Sequence, residues 1–395
     1  MKSTFFLIIF VAFMNVLNGQ QYITAHTTIT FNDPLRSGGY GSGAGPGRQI
    51  QTEIYYPSIS GGENASPAEG PFPFIVFGHG YLMTWEAYRN IWDSIVPQGY
   101  IMVFLRTESG MLPDHEDFAA DFVVCARKFR EAGKSASGMF SGKVAEKMAF
   151  MGHSLGGGAA FLAGSVYGEA TTIIGLAPYE TNPPASVAAK LVSQPSLIIS
   201  GSQDGVTSPT AHHLPIFNNL GSSCKYFISI TGGGHCFFAC PNTPCDMGEK
   251  LVSSSIGITR ETQQAIALEY FLPWLNSYLK NSADAKSGFI SLIKSDSRIT
   301  FREACSLSVH PDIDSGTGGF KIYPNPVCDI LFVERPATAT VISWKITTLL
   351  GSLVNSGSLS GQENSIAIGA IADGAYLVTL TSGSDDFHFR IILQK

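Results

Sequence analysis

The stretch Phe150-Met151-Gly152-His153-Ser154-Leu155-Gly156-Gly157-Gly158 limits the possible folds more than any other part of the chain. The apolar run from Met148 to Met151 reads as a strand, and the small residues from Gly156 to Gly164 read as a helix. Ser154 stands between them with a glycine two residues to either side. Those glycines let strand and helix approach closely, and a turn that sharp lifts a serine hydroxyl clear of the backbone. A serine hydroxyl is a weak nucleophile. Chemistry at Ser154 therefore needs a base, a group that orients the base, and N–H donors where an oxyanion develops.

The flanking pattern places such groups. Tyr22 to Phe31 and Ile50 to Tyr56 alternate as strands. Phe74 to Phe77, Tyr100 to Leu105, Lys147 to Gly152, Thr171 to Leu176, Leu197 to Ser200 and Tyr226 to Ile230 are short and mostly apolar, the mark of strands buried on both faces of a parallel sheet. Helical periodicity separates them: Trp85 to Val96, His115 to Arg130 with Phe118, Phe122 and Val123 on one face, and a helix opened by Ser208-Pro209 and ending near Leu220. Thr262 to Leu279 reads as a long helix with a kink expected at Pro273. Alternating strands and helices predict an α/β fold with a mostly parallel sheet, whose ligands bind at the carboxyl ends of the strands.

The residues with chemistry follow those strand ends. Asp204 closes one strand, and His235 closes the next after Gly232-Gly233-Gly234. With 9 histidines in the chain a downstream histidine says little by itself; one set on a glycine run, after a strand-end aspartate, says more. Ser154 is the expected nucleophile, His235 the base and Asp204 the orienting acid, in the chain order Ser, Asp, His. The oxyanion donors are expected to be the N–H groups of Leu155 and of Tyr81, in the compact loop Gly78-His79-Gly80-Tyr81. His79, His153, His212 and His213 are expected to be structural. No metal and no cofactor is implied.

Composition narrows the class. A chain 44% hydrophobic and only 14% charged is neither disordered nor a nucleic-acid binder, and a formal charge of −6 is too mild to name a charged partner. Lys2, the apolar run Phe5 to Val16 and the small residue in Asn18-Gly19-Gln20 read as a signal peptide, the run falling short of the ~20 residues a membrane span needs. The 7 cysteines fit export. A disulfide of Cys236 or Cys240 with Cys245 is favoured, and zinc is disfavoured because no second C-x-x-C or histidine pair accompanies them. The odd total leaves at least one thiol unpaired.

Between the strand ending near Leu176 and the one beginning near Ser196 lie about twenty residues, room for a loop and a short helix but not for a cap domain. The cleft is expected to be open, which suits bulky or polymeric esters and admits small ones. After Cys305 the composition changes: Ser306 to Gly319 reads as a linker, and the residues beyond it as a small all-β module with turns at Asn355-Ser356-Gly357 and Asp373-Gly374.

Two resemblances follow. Through Gly80-Tyr81, Gly152 to Gly158, Ala177-Pro178-Tyr179, Asp204 to Ile216 and Gly232 to His235, the chain from about 22 to 305 resembles the lid-less α/β-hydrolases that include bacterial cutinases and poly(ethylene terephthalate) hydrolases. The resemblance implies the triad Ser154, Asp204 and His235, oxyanion N–H groups at Tyr81 and Leu155, and substrate contacts from Tyr81, Leu155 and Tyr179. Cutinases often carry Met at the position of Leu155 and Trp at that of Tyr179, departures that bear on aromatic polyesters and not on the triad. Through Lys321-Ile322-Tyr323-Pro324-Asn325-Pro326, Leu331-Phe332-Val333, Gly374 to Val378 and the basic end from Arg390, the final domain resembles the C-terminal sorting domain of type IX secretion. That implies the outer-membrane secretion machinery as a partner.

The expected organisation is a signal peptide over 1–19, an α/β-hydrolase domain over 20–305, a linker over 306–319 and a sorting domain over 320–395. The expected protein is a secreted or cell-surface monomer that hydrolyses an ester or polyester through an acyl-enzyme. The alternatives are a lipid, phospholipid or chlorophyllase-type acyl hydrolase and a catalytically inactive surface-binding protein on the same fold.

Overall fold

The computed structural model describes residues 22–253 and 255–305 and, further on, 320–324, 327–335, 341–348, 352–360, 364–372, 374–383 and 385–393. The expected signal peptide, the expected linker, Asn325-Pro326, Asp373 and Gln394-Lys395 lie outside these described residues. Contacts divide the chain into two units, Met1–Ser306 and Leu307–Lys395.

The first unit is built on an 11-stranded sheet. In chain order its strands are β1 (Ile23–Asp33), β2 (Gly39–Tyr40), β3 (Arg48–Ser58), β4 (Gly62–Glu63), β5 (Phe72–Gly78), β6 (Ile101–Leu105), β7 (Val144–His153), β8 (Thr172–Leu176), β9 (Ser196–Gly201), β10 (Cys224–Ile230) and β11 (Ile299–Cys305). They lie in the order β11-β10-β9-β8-β7-β5-β6-β3-β1-β4, with β2 on β3. Strands β5 to β10 are mutually parallel. Strand β3 pairs antiparallel with β6 and with β1, and β11 pairs antiparallel with β10.

The apolar strands behave as a buried sheet must. Successive side chains point to opposite faces. Phe74, Val76, Met148, Phe150 and Ile198 enter one apolar cluster, while Ile75, Phe77, Ala149, Met151 and Ile199 enter the other. Helices α2 (His115–Lys134), α3 (Leu155–Val166), α4 (Ala185–Ala188) and α5 (His213–Asn219) supply Phe118, Phe122, Phe161, Ala185 and Ile216 to the first. Helices α1 (Arg89–Ile95), α7 (Arg260–Leu279) and α8 (Ala283–Ser295) supply Trp92, Tyr270, Trp274 and Phe289 to the second. Each large apolar side chain so buried contributes about 1.5–3 kcal/mol over leaving it in water. Among the described residues no helix is long and apolar enough to cross a membrane.

Several elements differ from the sequence expectation. The helix expected from Ser208 begins only at His213. Residues 208–212 form turns instead, with Ala211 and His212 both donating to the Ser208 carbonyl. Pro215 has no N–H to continue a helical ladder back to Ala211, which explains the late start. The cysteine-rich stretch after His235 is not all loop. It holds α6 (Thr243–Val252), opened by Asn242, whose side chain accepts the Cys245 N–H, with proline in the first turn. After α8 the sheet gains one more strand than the sequence reading named, β11, which pairs with β10. Helix α7 runs through Pro273 as one element.

The second unit, taken alone, is all β. One sheet holds β12 (Lys321–Tyr323), β13 (Ile330–Glu334) and β16 (Ser365–Ala367); the other holds β14 (Val341–Thr348), β15 (Leu353–Ser360), β17 (Gly374–Ser382) and β18 (Asp385–Leu393). All pairings within the two sheets are antiparallel. Leu331, Val333 and Ile366 from the first sheet meet Ile342, Ile346, Val378 and Ile391 from the second in one apolar cluster. Asn355-Ser356-Gly357 is not a turn but lies within β15, where Gly357 pairs with Trp344. A Cβ on Gly357 would lie 2.6 Å from the Trp344 ring, so this glycine makes room for an aromatic neighbour and not for a chain reversal.

Candidate active site

Ser154 sits between β7 and α3 at φ 54° and ψ −120°. A non-glycine residue at positive φ is strained, and such strain persists only where the surroundings impose it. Here they do. A Cβ on Gly152 would lie 2.2 Å from the Gly156 carbonyl oxygen, and one on Gly156 would lie 2.1 Å from that of Gly78. Strand, turn and helix are in contact at distances only glycine permits. The Ser154 N–H donates to the Leu176 carbonyl at 2.9 Å, and the Ser154 carbonyl accepts from the Tyr179 N–H at 2.8 Å. The turn is thereby tied to the end of β8 and to the start of the β8–β9 connection.

Asp204 follows β9 and is buried. Its Oδ1 accepts the N–H groups of Val206 (2.9 Å) and Thr207 (2.7 Å). Its Oδ2 accepts from the Thr207 hydroxyl at 2.9 Å and from His235 Nδ1 at 2.8 Å. Burial alone would raise its pKa. The charge and hydrogen bond of His235, then His213 and the Thr207 N–H, outweigh burial and hold it below the ordinary carboxylate value. His235 is also buried, at the end of the glycine run after β10. Its N–H and that of Cys236 both donate to the Glu249 carboxylate on α6. The disulfide Cys236–Cys245 joins the same two segments. A second disulfide, Cys224–Cys305, joins β10 to β11 and was not expected from the sequence; Cys125, Cys240 and Cys328 are free.

His153 connects the parts. It is fully buried, with Nδ1 3.0 Å from the Tyr88 hydroxyl and Nε2 3.0 Å from the His235 carbonyl oxygen. Burial, then the neighbouring His235, keeps it neutral, well below the usual histidine pKa. Its Nε2–H donates to His235, and its Nδ1 accepts from Tyr88, whose oxygen in turn accepts the Gly80 N–H at 2.8 Å. One chain of hydrogen bonds thus links the Gly80 loop, the residue before Ser154 and the His235 loop. No hydrogen bond joins Ser154 Oγ directly to His235 among the described residues. Buried His79 is held against the Thr107 carbonyl at 2.8 Å.

A cavity of about 310 Å³ opens over Ser154, lined also by Tyr81, Leu155, Tyr179, Pro113, His115, Val206 and Thr207. The N–H groups of Tyr81 and Leu155 have no acceptor among the described residues; Leu155 opens α3, where first-turn N–H groups have no partner within the helix. Tyr81 is half exposed and its hydroxyl donates to the Met111 carbonyl at 2.9 Å. Tyr179 stacks on His212 at 5.1 Å and meets His115 edge-on at 6.1 Å. Those rings are themselves fixed, accepting the N–H groups of Glu180 and Asn182. The β8–β9 connection carries only α4 and one short 3₁₀ turn, and so holds no cap domain. Among the described residues no cluster of His, Cys, Asp and Glu is arranged to hold a metal ion.

The structure therefore brings all six expected site residues to one region: Ser154, Tyr81, Leu155 and Tyr179 line the cavity, and Asp204 with His235 stands behind Thr207. Sequence reasoning did not single out Thr207 or Glu249, and it read His213 as structural. The Thr207 hydroxyl lies 2.8 Å from His235 Nδ1 and 3.0 Å from His213 Nε2. Only its place three residues after Asp204 hinted at this. Glu249 had no local signal beyond the start of α6.

Comparison with known proteins agrees with this architecture. Residues 321–394 match the secretion system C-terminal sorting domain, which marks export by the type IX system to the medium or the cell surface. Cutinase est2 of Thermobifida alba is 26% identical over 184 residues, 46% of this chain and 56% of that protein. Cutinase 1 of Thermobifida cellulosilytica is 26% identical over 211 residues, 53% of this chain and 70% of that protein. A cutinase of Thermobifida fusca (strain YX) is 26% identical over 211 residues, covering 61% of its length. The chain thus spans little more than half of the first of these relatives. The family described as PET hydrolase-like matches residues 23–256, more than half of the chain, and the protein belongs to that family of α/β-hydrolases.

Proposed function

We propose that this ester hydrolase acts by serine catalysis, with Ser154 as nucleophile, His235 as general base and acid, and Asp204 as the group that orients His235. The observation that carries the proposal is the 2.8 Å bond from His235 Nδ1 to a buried Asp204 carboxylate beside a serine held at positive φ. With Nδ1–H committed to Asp204, Nε2 is left free to take a proton. Ser154 Oγ attacks the ester carbonyl carbon as its proton passes to His235 Nε2. The carbonyl π electrons move to oxygen, and the N–H groups of Tyr81 and Leu155 donate to that oxyanion. The tetrahedral intermediate collapses to the acyl-enzyme, and the leaving alkoxide takes the proton from His235. Water, deprotonated by His235, then attacks the acyl carbon and releases acid and free Ser154. Removing one oxyanion donor from such a site costs roughly 100- to 1,000-fold in kcat.

The substrate proposed is a polyester, aliphatic or aromatic, with short soluble esters also turned over. Its support is the uncapped cavity between the Tyr81 and Tyr179 rings. Wild type is expected to hydrolyse a chromogenic short-chain ester and to release soluble monomer from a polyester film, and Ser154→Ala to lose both. Film hydrolysis absent beside a sharp preference for long acyl chains would move the assignment to lipids; ester turnover retained by Ser154→Ala would overturn serine catalysis.

A further inference from the structure

Around Asp204 a second set of polar side chains is buried: Ser200 and His213, which do not line the cavity, and Thr207, which does. His213, the first residue of α5, is fully buried. Its Nδ1 lies 2.8 Å from the Ser200 hydroxyl at the end of β9, and its Nε2 lies 3.0 Å from the Thr207 hydroxyl. Thr207 Oγ1 is within 2.9 Å of Asp204 Oδ2, 2.8 Å of His235 Nδ1 and 3.3 Å of the Ala177 carbonyl. One hydroxyl has a single proton and two lone pairs, so these contacts cannot all be donations.

The surrounding geometry determines the proton positions. Burial first, then the positive forms of His235 and His212, push the His213 pKa down to about 3, against the pull of Asp204. His213 is therefore neutral and carries one N–H. If that proton were on Nδ1, Ser200 would have to turn its own proton to the Gly201 carbonyl at 3.4 Å, and Thr207 would spend its proton on a neutral imidazole. With the proton on Nε2, Ser200 donates to Nδ1 at 2.8 Å, Nε2–H donates to Thr207, and Thr207 donates to a charged carboxylate at 2.9 Å. Shorter contacts and a charged acceptor both favour the second arrangement. Asp204 then receives four donors: two backbone N–H groups, the Thr207 hydroxyl and His235 Nδ1–H.

We propose that His213 and Thr207 are positioning residues of the triad: His213, as the Nε2–H tautomer, directs the Thr207 proton onto Asp204 Oδ2 and so sets the charge that Asp204 presents to His235. The proposal rests on the serine-triad reading given above. Each donor on a carboxylate spreads its charge. Removing the Thr207 donor concentrates that charge toward Nδ1–H and stabilises the His235 imidazolium. Thr207 also offers His235 a lone pair, but a neutral oxygen counts for less than a carboxylate at the same 2.8 Å. The other titratable groups around His235 are His153 from β7, Glu249 from α6, and His212 and His213 at the start of α5. Of these only His213 bonds Thr207, so a change at Thr207 alone leaves the partners of His153, Glu249 and His212 in place.

The test is the pH dependence of kcat/KM on a soluble chromogenic ester. Thr207→Val is expected to move the acid limb up by roughly half to one pH unit, with the loss of rate on that limb carried by kcat and KM changed little. Thr207→Ser, which keeps the hydroxyl, is expected to restore the limb. His213→Leu is expected to move it the same way and His213→Gln, whose amide N–H can reach Thr207, to move it less. His213 Nε2 lies 3.8 Å from Asp204 Oδ2, beyond hydrogen-bond reach, so its bond reaches the carboxylate through Thr207, and the Thr207→Val/His213→Leu double variant is expected to match Thr207→Val alone. An acid limb unmoved in Thr207→Val, or additive shifts in the double variant, overturns the proposal. Should His213→Leu fail to fold, the Thr207→Val and Thr207→Ser pair decides. Activity lost in Ser154→Ala with the limb unmoved in Thr207→Val defeats only this inference; activity surviving in Ser154→Ala defeats the triad as well.

Discussion

Gly156 and Ser154 show how a few residues can define a site. A methyl group on Gly156 would stand 2.1 Å from the Gly78 carbonyl oxygen, and that carbonyl is backbone and cannot swing aside. Gly156→Ala should therefore destabilise the protein by about 3 kcal/mol and lower activity together with stability, as read from urea denaturation and ester turnover. Gly168, beyond α3, has nothing within 4 Å of its Cβ position, and Gly168→Ala provides the control, with stability within about 0.5 kcal/mol of wild type. At this scale the positions of the candidate site were largely legible. Ser154, Asp204 and His235 each follow an apolar strand, and strand ends can be read from local pattern. Thr207, His213 and Glu249 could not be read in the same way. Each acts through a partner fixed by tertiary packing, and a threonine or glutamate in a loop has no periodicity to mark it.

At the scale of elements, two devices hold the loops that carry the site. The first is a buried ion cluster at the start of α2. Arg48 on β3 bonds Asp121 (2.8 Å) and Asp117 (2.9 Å), and it also bonds Glu108 in the loop before α2. Arg36 reaches Asp121 at 2.7 Å, and the Thr107 hydroxyl donates to it as well. This cluster holds the segment from which Pro113 and His115 line the cavity. Arg48→Met would leave the buried Asp121 short of its main partner and should cost about 3–5 kcal/mol in urea denaturation. The second device is α6, which carries Glu249 to the His235 and Cys236 N–H groups and is joined to the base loop by Cys236–Cys245. Replacing both cysteines by serine should cost about 2 kcal/mol and reduce kcat, because the loop it frees bears His235. Replacing the Cys224–Cys305 pair should lower stability without a comparable fall in kcat, since that bridge joins β10 to β11 away from the cavity. The parallel strands were legible as unbroken apolar runs. Helix α6 was not, because the cysteines and prolines around it read as loop, although Asn242 and Pro244 were the cap and first-turn signals of a helix.

For the whole molecule, burial of histidine fixes the response to acid. His79, His153 and His213 are all buried, and burial lowers the pKa of each. The unfolded chain takes up a proton on each as pH falls through 6.5, whereas the folded chain does not. Folded stability is then full above that value and falls as pH drops below it. Asp204, lowered below 3.8, adds to the loss at still lower pH. Glu249, raised by burial above 4.5, works in the opposite direction but for a single proton. The melting temperature should be flat above neutrality and fall steeply below about pH 6. A melting temperature independent of pH between 7 and 5 would contradict neutral burial of these rings. The second unit reads from sequence as a sorting module by composition and motif, but its strand register was less legible, because a glycine that accommodates a tryptophan ring looks the same as a glycine that makes a turn. The most direct measurement of the central claim is the intact mass of the protein after reaction with a fluorophosphonate, followed by peptide mapping. Serine catalysis predicts one adduct per chain on Ser154, none in Ser154→Ala, and ester turnover lost in step with labelling. Labelling on another residue, or full turnover by a chain whose Ser154 is blocked, would contradict it.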